Sequence, residues 1–245
     1  MKLYTYIVNL KTSVARKEYM NQLLSKYTDL DIHFIEAVDG RVFTEEQRNE
    51  AFDMKSCVRR FGKELNPGEI GCTLSHYKCY REFLETNEDF VLILEDDISL
   101  VGDINLIFSK EIHDFMSAAV PKILLLSGDY WYWDDKKITR VFSAVGSYAY
   151  LINRTAISLI LQNTTKPFNV ADDWDLFKSF GVKLYAIHPY VIDANIADIP
   201  SDINQAYWGN KKSLMSWKNI LGSYYRGFVK RLLGYRGHFE SKIRK

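Results

Sequence analysis

Residues 90–94 read Phe-Val-Leu-Ile-Leu and are followed at once by Glu95-Asp96-Asp97. An unbroken apolar pentad needs cover on both faces, which is the environment of a central strand in an α/β sheet. Three adjacent carboxylates repel one another, so they require a cation or a network of donors where the strand ends. Ligands of open α/β sheets gather at the carboxyl ends of the strands, and the triplet falls at such an end. If strand geometry continues, side chains 95 and 97 share a face and offer two oxygen ligands. Hard oxygen donors favour Mg²⁺ or Mn²⁺. The alternative is an acidic exit loop that caps a neighbouring helix.

The rest of the chain supplies layers for such a sheet. Residues 3–8 (LYTYIV) read as a strand, Ser13 as a helix cap before Met20, Leu23, Leu24 and Tyr27, and residues 31–36 as a second strand. This order predicts a parallel βαβ unit. Thr44 with Gln47 forms a capping-box pattern for a short helix, and Asn66-Pro67 with Glu69 forms another before the apolar face of Ile70, Leu74, Tyr77 and Leu84. Further strands are predicted at 123–126, 138–145, 147–152 and 182–187, and helices at 103–117, 153–163 and 172–180. The fold class is α/β.

Hydrophobic residues make up 47% of the 245 and charged residues 26%, as in an ordinary globular protein. The formal net charge of +1 argues against a uniformly basic nucleic-acid binder. It conceals an asymmetry. Residues 211–245 hold ten of the 32 Lys and Arg but one of the 31 acids, a net of +9, so residues 1–210 carry −8. Two units are expected, a body over 1–210 and a basic segment over 211–245. Cys57, Cys72 and Cys79 are too few, and odd in number, for a disulfide framework, and no Cys-x-x-Cys pair suggests zinc. No apolar run approaches the roughly 18 residues of a membrane span, and the first residues lack a signal-peptide pattern. The expected location is cytoplasmic.

Several motifs then occur in a recognisable order: Asn9-Leu10 with Arg16, EAVDG at 36–40, NPGEIGCTLSHY at 66–77, LILEDD at 92–97 and SYAYLIN at 147–153. Over roughly residues 1–200 the chain resembles the lipopolysaccharide-type glycosyltransferases of family 25, which include lipooligosaccharide galactosyltransferases and collagen galactosyltransferases. The resemblance implies a GT-A-like (Rossmann-like) fold with flanking helices, a nucleotide-sugar donor and an inverting transfer. It puts Glu95-Asp96-Asp97 in the place of a DxD motif, with Asp97 as the direct ligand of Mn²⁺ or Mg²⁺ and Glu95 beside it. Glu95 departs from the family's first Asp by one methylene. Asn9 and Arg16 fall at the first strand-to-helix connection, where a nucleotide is expected, and the guanidinium fork suits a diphosphate. A solvated helix-face cation is the alternative for Arg16.

Ser75 and His76 are implied to bind or support the donor; without the motif, His76 reads as a core or capping residue. Gly68 and Gly71 would permit close backbone approach. Cys72 and Cys79 are read as packing residues. Asp172 and Asp173 are both candidates for the base that deprotonates the acceptor, although acids also belong in a first helical turn for the dipole. Trp174 either stacks on a sugar or fills the core. His188 ends a strand and is a candidate metal or pyrophosphate contact. Trp131-Tyr132-Trp133 is expected as an aromatic loop.

In the C-terminal segment Leu214, Trp217, Leu221, Tyr224, Phe228, Leu232 and Tyr235 recur at helical steps beside Lys218, Arg226, Lys230 and Arg231. Such a basic amphipathic segment suits an anionic membrane surface, or it docks on the acidic body. The function expected is metal-dependent transfer of a hexose, galactose from UDP-galactose, to a lipid-linked lipopolysaccharide-type acceptor at the inner face of the membrane, with no nucleic-acid partner. The rivals are a Mg²⁺-dependent phosphoryl- or nucleotidyl-transfer enzyme and a non-catalytic nucleotide-sugar or glycan-binding protein. The procollagen branch is not expected, because no secretory signal is seen.

Overall fold

The computed structural model describes residues 2–194 and 217–240. It opens with β1 (Leu3–Asn9), α1 (Val14–Leu24) and β2 (Leu30–Glu36), then α2 (Glu45–Ala51), α3 (Met54–Phe61) and α4 (Pro67–Leu84). Next come β3 (Phe90–Glu95), β4 (Ile98–Leu100), α5 (Lys110–Ser117), β5 (Lys122–Leu125), β6 (Asp129–Tyr132), β7 (Ile138–Val145) and β8 (Ala149–Asn153). The remainder is α6 (Arg154–Asn163), α7 (Trp174–Ser179), β9 (Lys183–Ile187), β10 (Ile192–Ala194), α8 (Trp217–Tyr235) and β11 (Phe239–Glu240).

Nine strands form one sheet in the order β11-β6-β7-β9-β5-β8-β3-β1-β2, and β4 pairs with β10 in a small second sheet. β1 runs parallel to both β2 and β3, and β5 runs parallel to β9. β8 lies antiparallel between β3 and β5. The carboxyl ends of β1, β2, β3, β5 and β9 therefore share one edge. The chain leaves β1 toward β2 on one side and returns to β3 on the other, so the topological switch point lies between β1 and β3. The architecture is of the mixed α/β class expected.

β3 is covered on both faces, as its apolar run requires. Val91 and Ile93 join Tyr77, Tyr80 and Phe83 of α4 and Ile157 and Ile160 of α6. Leu92 and Leu94 join Met20 and Leu24 of α1 and Ile112 and Met116 of α5. Truncating such a side chain to Ala costs about 2–5 kcal/mol.

Both capping boxes form, Thr44 with Gln47 and Asn66 with Glu69. Ser13 precedes α1 without a side-chain cap bond. The helix expected over 103–117 is interrupted: residues 104–108 form a 3-10 turn, and Ser109 caps a new start at α5. Residues 129–132 are strand β6, so the expected aromatic loop is largely sheet. Tyr132 is buried, and Trp131 stacks on Phe239 of β11 at 4.5 Å. Their strand pairing is long-range and leaves no local signature.

The basic segment is joined to the body. Val229 and Leu233 of α8 are buried, and β11 extends the sheet beside β6. Leu214 and the cations at 211, 212 and 242–245 lie outside the described residues. Among the described residues no helix is long and apolar enough to cross a membrane.

Candidate active site

β3 ends at Glu95, the chain turns through Asp96-Asp97, and β4 begins at Ile98. Strand geometry therefore does not continue through the triplet, so the condition for side chains 95 and 97 to share a face is not met, and the three carboxylates meet different neighbours. Asp96 is buried; its carboxylate accepts from Asn9 Nδ2 at 2.7 Å and from Arg16 Nη1 at 2.9 Å. Arg16 Nη1 also lies 3.4 Å from Asp97 Oδ2. β1, α1 and β3 thus bring Asn9 and Arg16 to the triplet at the switch point. Burial raises the Asp96 carboxyl above its ordinary value despite these two donors. Burial and the charges of Glu95 and Asp96 outweigh Arg16 at Asp97 and push its carboxyl up to about 6. A carboxylate in surplus negative charge suits a divalent cation, so the oxygens of Asp97 are chemically fit to hold Mn²⁺ or Mg²⁺, and the Glu95 charge acts on the same carboxyl.

Glu95 also reaches α4. Its Oε1 accepts from Ser147 Oγ at 2.7 Å and lies 3.7 Å from His76 Nε2. Burial raises the Glu95 carboxyl, but His76, Ser147 and Arg16 overcome that and leave it below its ordinary value. His76 is buried; its Nδ1 meets Tyr150 Oη at 2.6 Å, and Tyr150 Oη meets Tyr80 Oη at 2.8 Å. Cys72 stands one helical turn before His76, and the donor atoms of Cys72, His76 and Glu95 all lie within 4.8 Å of one another. Burial, then the charges of Glu95, Asp172 and Asp97, hold the Cys72 thiol far above its ordinary range. A thiol so placed favours its protonated form.

The second acidic cluster arrives beside the first. Asp172 Oδ2 accepts from Gly146 N–H at 2.7 Å, and the next residue, Ser147, is the donor to Glu95. Gly146 has φ +93°, in the left-handed region that favours glycine. Burial raises the Asp172 carboxyl; Gly146 opposes this, while Asp173 and Glu95 reinforce it. Asp173 is buried and committed elsewhere. It caps α7 by accepting from Leu176 N–H at 3.2 Å, and it makes a two-point ion pair with Arg60, whose Nη2 lies 2.6 Å from Oδ1. Because Asp173 is the cap, the helix expected from 172 begins at Trp174. Trp174 is 1% exposed and packs edge-on against Tyr150, so it fills the core.

Two more expected contacts lie elsewhere. Ser75 is buried; its hydroxyl donates to Gly71 O at 2.7 Å and accepts from Val38 N–H at 2.8 Å. It ties α4 to the segment after β2. At the same junction a Cβ on Gly71 would stand 2.5 Å from Val38 O, so the glycine permits the close approach expected of it. His188 follows β9, which lies two strands beyond β3's neighbour β8, or roughly 14 Å across the sheet from β3. It lies 3.5 Å from Glu240 and 3.3 Å from Tyr130 Oη, so the structure groups it with β6 and β11 instead of the triplet.

A cleft of about 370 Å³ opens beside the carboxyl ends of β1 and β2, lined by Leu10, Lys11, Thr12, Val38, Asp39 and Phe43 among others. Sequence reasoning missed this lining, Arg60 and Ser147, and treated Cys72 only as packing. Part of the EAVDG motif lines the cleft and the GEIGC motif ends in Cys72; Arg60 sits 113 residues from Asp173 and carries no comparable signal.

Comparison with known proteins places this site in a family. Residues 2–174 match the model of glycosyltransferase family 25 (LPS biosynthesis protein). A glycosyltransferase 25 family member of Aedes aegypti is 32% identical over 100 residues, which cover 39% of this chain and 16% of that protein. Procollagen galactosyltransferase 2 of Mus musculus is 26% identical over 153 residues, or 52% of this chain and 24% of that protein. A Haemophilus influenzae protein is 24% identical over 184 residues, covering 72% of this chain and 64% of its own. The aligned region thus spans less than a quarter of the two animal relatives. With the family's model matched from β1 to the start of α7, across both acidic clusters, the chain belongs to glycosyltransferase family 25.

Proposed function

We propose that the protein is an inverting glycosyltransferase that moves a hexose, galactose from UDP-galactose, onto a lipid-linked oligosaccharide of the lipopolysaccharide type. The observation that carries this reading is that the adjacent residues Gly146 and Ser147 donate to Asp172 and to Glu95, which brings the two acidic clusters together at the carboxyl edge of the sheet. The relatives named galactosyltransferases support the sugar, and the family's description as an LPS biosynthesis protein supports the acceptor. The cleft beside β1 and β2 is the place for the nucleoside, and the switch point at Asn9 and Arg16 the place for the diphosphate.

Asp97 and Glu95 would hold Mn²⁺ or Mg²⁺, which supplies positive charge to offset the charge gathering on the leaving nucleotide. Asp96 is a positioning residue, since its oxygens face Asn9 and Arg16 and fix the β1–α1 connection against β3. Asp172 is the base. Its carboxylate takes the proton of the acceptor hydroxyl as that oxygen bonds to the anomeric carbon. The bond from that carbon to the UDP oxygen breaks with its electron pair leaving on UDP, and the configuration inverts in one displacement. Burial raises the Asp172 carboxyl, which suits a proton acceptor, while Asp173 is bound to Arg60. The enzyme would work at the cytoplasmic face of a membrane, where a lipid-linked acceptor is held.

The test is a panel of nucleotide sugars assayed for nucleotide release with Mn²⁺ or with EDTA. Metal-dependent release of UDP from UDP-galactose is expected. Release of pyrophosphate or phosphate would favour a nucleotidyl- or phosphoryl-transfer enzyme. UDP binding without turnover over a range of acceptors would favour a non-catalytic binding protein.

A further inference from the structure

α8 has two faces with opposite fates. One is spent on the body: Val229 and Leu233 are buried, Arg226 Nε lies 3.1 Å from Asp175 Oδ2, and the Lys230 ammonium sits 4.2 Å from the centre of the Trp131 ring. Near its start, Asn219 Nδ2 donates to the carbonyls of Arg59 and Arg60 at 3.2 and 3.3 Å. The other face carries Leu221, Tyr224, Tyr225, Phe228, Leu232 and Tyr235, all exposed, with Phe228 at 68% and Tyr235 at 93%. Positions 221, 224, 228, 232 and 235 follow the three- and four-residue steps of one helical stripe. Arg231 and Arg236, both exposed, lie to either side of that stripe at 100° per residue.

Six large exposed apolar side chains on one helix are more than scattered surface residues, and they form a contiguous patch. Three are tyrosines, whose apolar ring and polar hydroxyl suit a boundary between hydrocarbon and water. Exposed arginines at the margins and a segment net charge of +9 complement an anionic surface. The body cannot take the place of that surface, because the helix already meets it through the opposite side. The docked end lies beside Arg60, whose guanidinium holds Asp173 next to the proposed base.

We propose that the outward face of α8 seats the protein on an anionic lipid bilayer, lying in the interface plane with the acceptor side of the site near the lipid. Leu221, Tyr224 and Phe228 enter the boundary between headgroups and acyl chains, while Arg231 and Arg236 meet lipid phosphates. The seating itself does not depend on the transfer chemistry.

The experiment is flotation of the full chain with vesicles of phosphatidylethanolamine and phosphatidylglycerol, and with phosphatidylcholine alone. Wild-type protein is expected to float with the anionic vesicles. The triple variant Leu221→Ser/Tyr224→Ser/Phe228→Ser should lose more than tenfold in partitioning, since each side chain gives up apolar burial. Arg231→Gln and Arg236→Gln should each cost about fivefold on anionic vesicles and little on neutral ones. UDP release from a soluble donor should be unchanged in all of them, which separates this proposal from the assignment of the reaction. Failure of the wild type to float, or equal flotation of the triple variant, overturns the proposal. So does a wild-type dimer that the triple variant turns into a monomer with flotation unaltered, which would give the face to a second copy.

Discussion

The two acidic clusters are built alike and used alike, although they lie far apart in the chain. In each, one aspartate is closed off by an arginine: Asp96 by Arg16 at 2.9 Å, and Asp173 by Arg60 in a two-point pair. In each, the neighbouring aspartate keeps a carboxyl raised by burial and by nearby negative charge, Asp97 in the first and Asp172 in the second. The arginine-held carboxylate fixes local geometry. Burial raises Asp96 as well, but Asn9 and Arg16 occupy its oxygens, whereas Asp97 and Asp172 hold unfavourable charge that a cation or a proton can relieve. Adjacent residues of the same type thus divide into scaffold and reagent according to which of them an arginine binds at hydrogen-bond distance; Arg16 comes only within 3.4 Å of Asp97.

Substitutions can break this division. The largest effect is expected at Asp172: Asp172→Asn should lower kcat by about 10²–10⁴ when the acceptor is supplied, as for loss of a general base. Asp173→Asn should leave kcat far closer to wild type, and steady-state transfer rates distinguish the two. Next comes Arg60→Ala, which leaves Asp173 buried without its counter-charge. It should cost about 3 kcal/mol in denaturant unfolding, with Asp172 chemistry affected only through stability.

Asp97→Asn should have the opposite sign in stability. The Asp97 carboxyl is raised from 3.8 in its ordinary state to about 6 in the fold, so the folded state bears the cost of ionising it. That cost is complete above pH 6, shrinks as pH falls, and vanishes below the unfolded value of 3.8. The variant should therefore be about 1–3 kcal/mol more stable than wild type at neutral pH, with the gain lost toward pH 3.8. Unfolding midpoints across that range would check the sign.

Much of this frame was legible in the sequence, for physical reasons. The apolar pentad at 90–94 needed two covered faces, and the triplet after it had to lie at a strand end. The two capping boxes are local, so spacing alone disclosed them. The parallel unit of β1, α1 and β2 followed from strand, cap and helical periodicity. What depended on distant pairing was hidden. β6 reads as a loop because its partners are β7 and β11, the latter more than 100 residues away. Asp172 and Asp173 are equivalent in sequence, and only the arrival of Arg60 and Gly146 separates them. His188 carries the right chemistry for a ligand, yet the strand order keeps it with Tyr130 and Glu240. Of the α8 residues, periodicity showed the stripe but not which face the body would take.

The central claim is that Asp97, whose carboxyl is pushed up to about 6 in the first cluster, is there to meet a cation on the donor diphosphate. Calorimetric titration of UDP into wild-type protein and Asp97→Asn, each with Mn²⁺ and with EDTA, tests it most directly. The account predicts Mn²⁺-dependent UDP binding in the wild type that falls in the variant to the level seen with EDTA. Equal Mn²⁺-dependent binding by both proteins would contradict it.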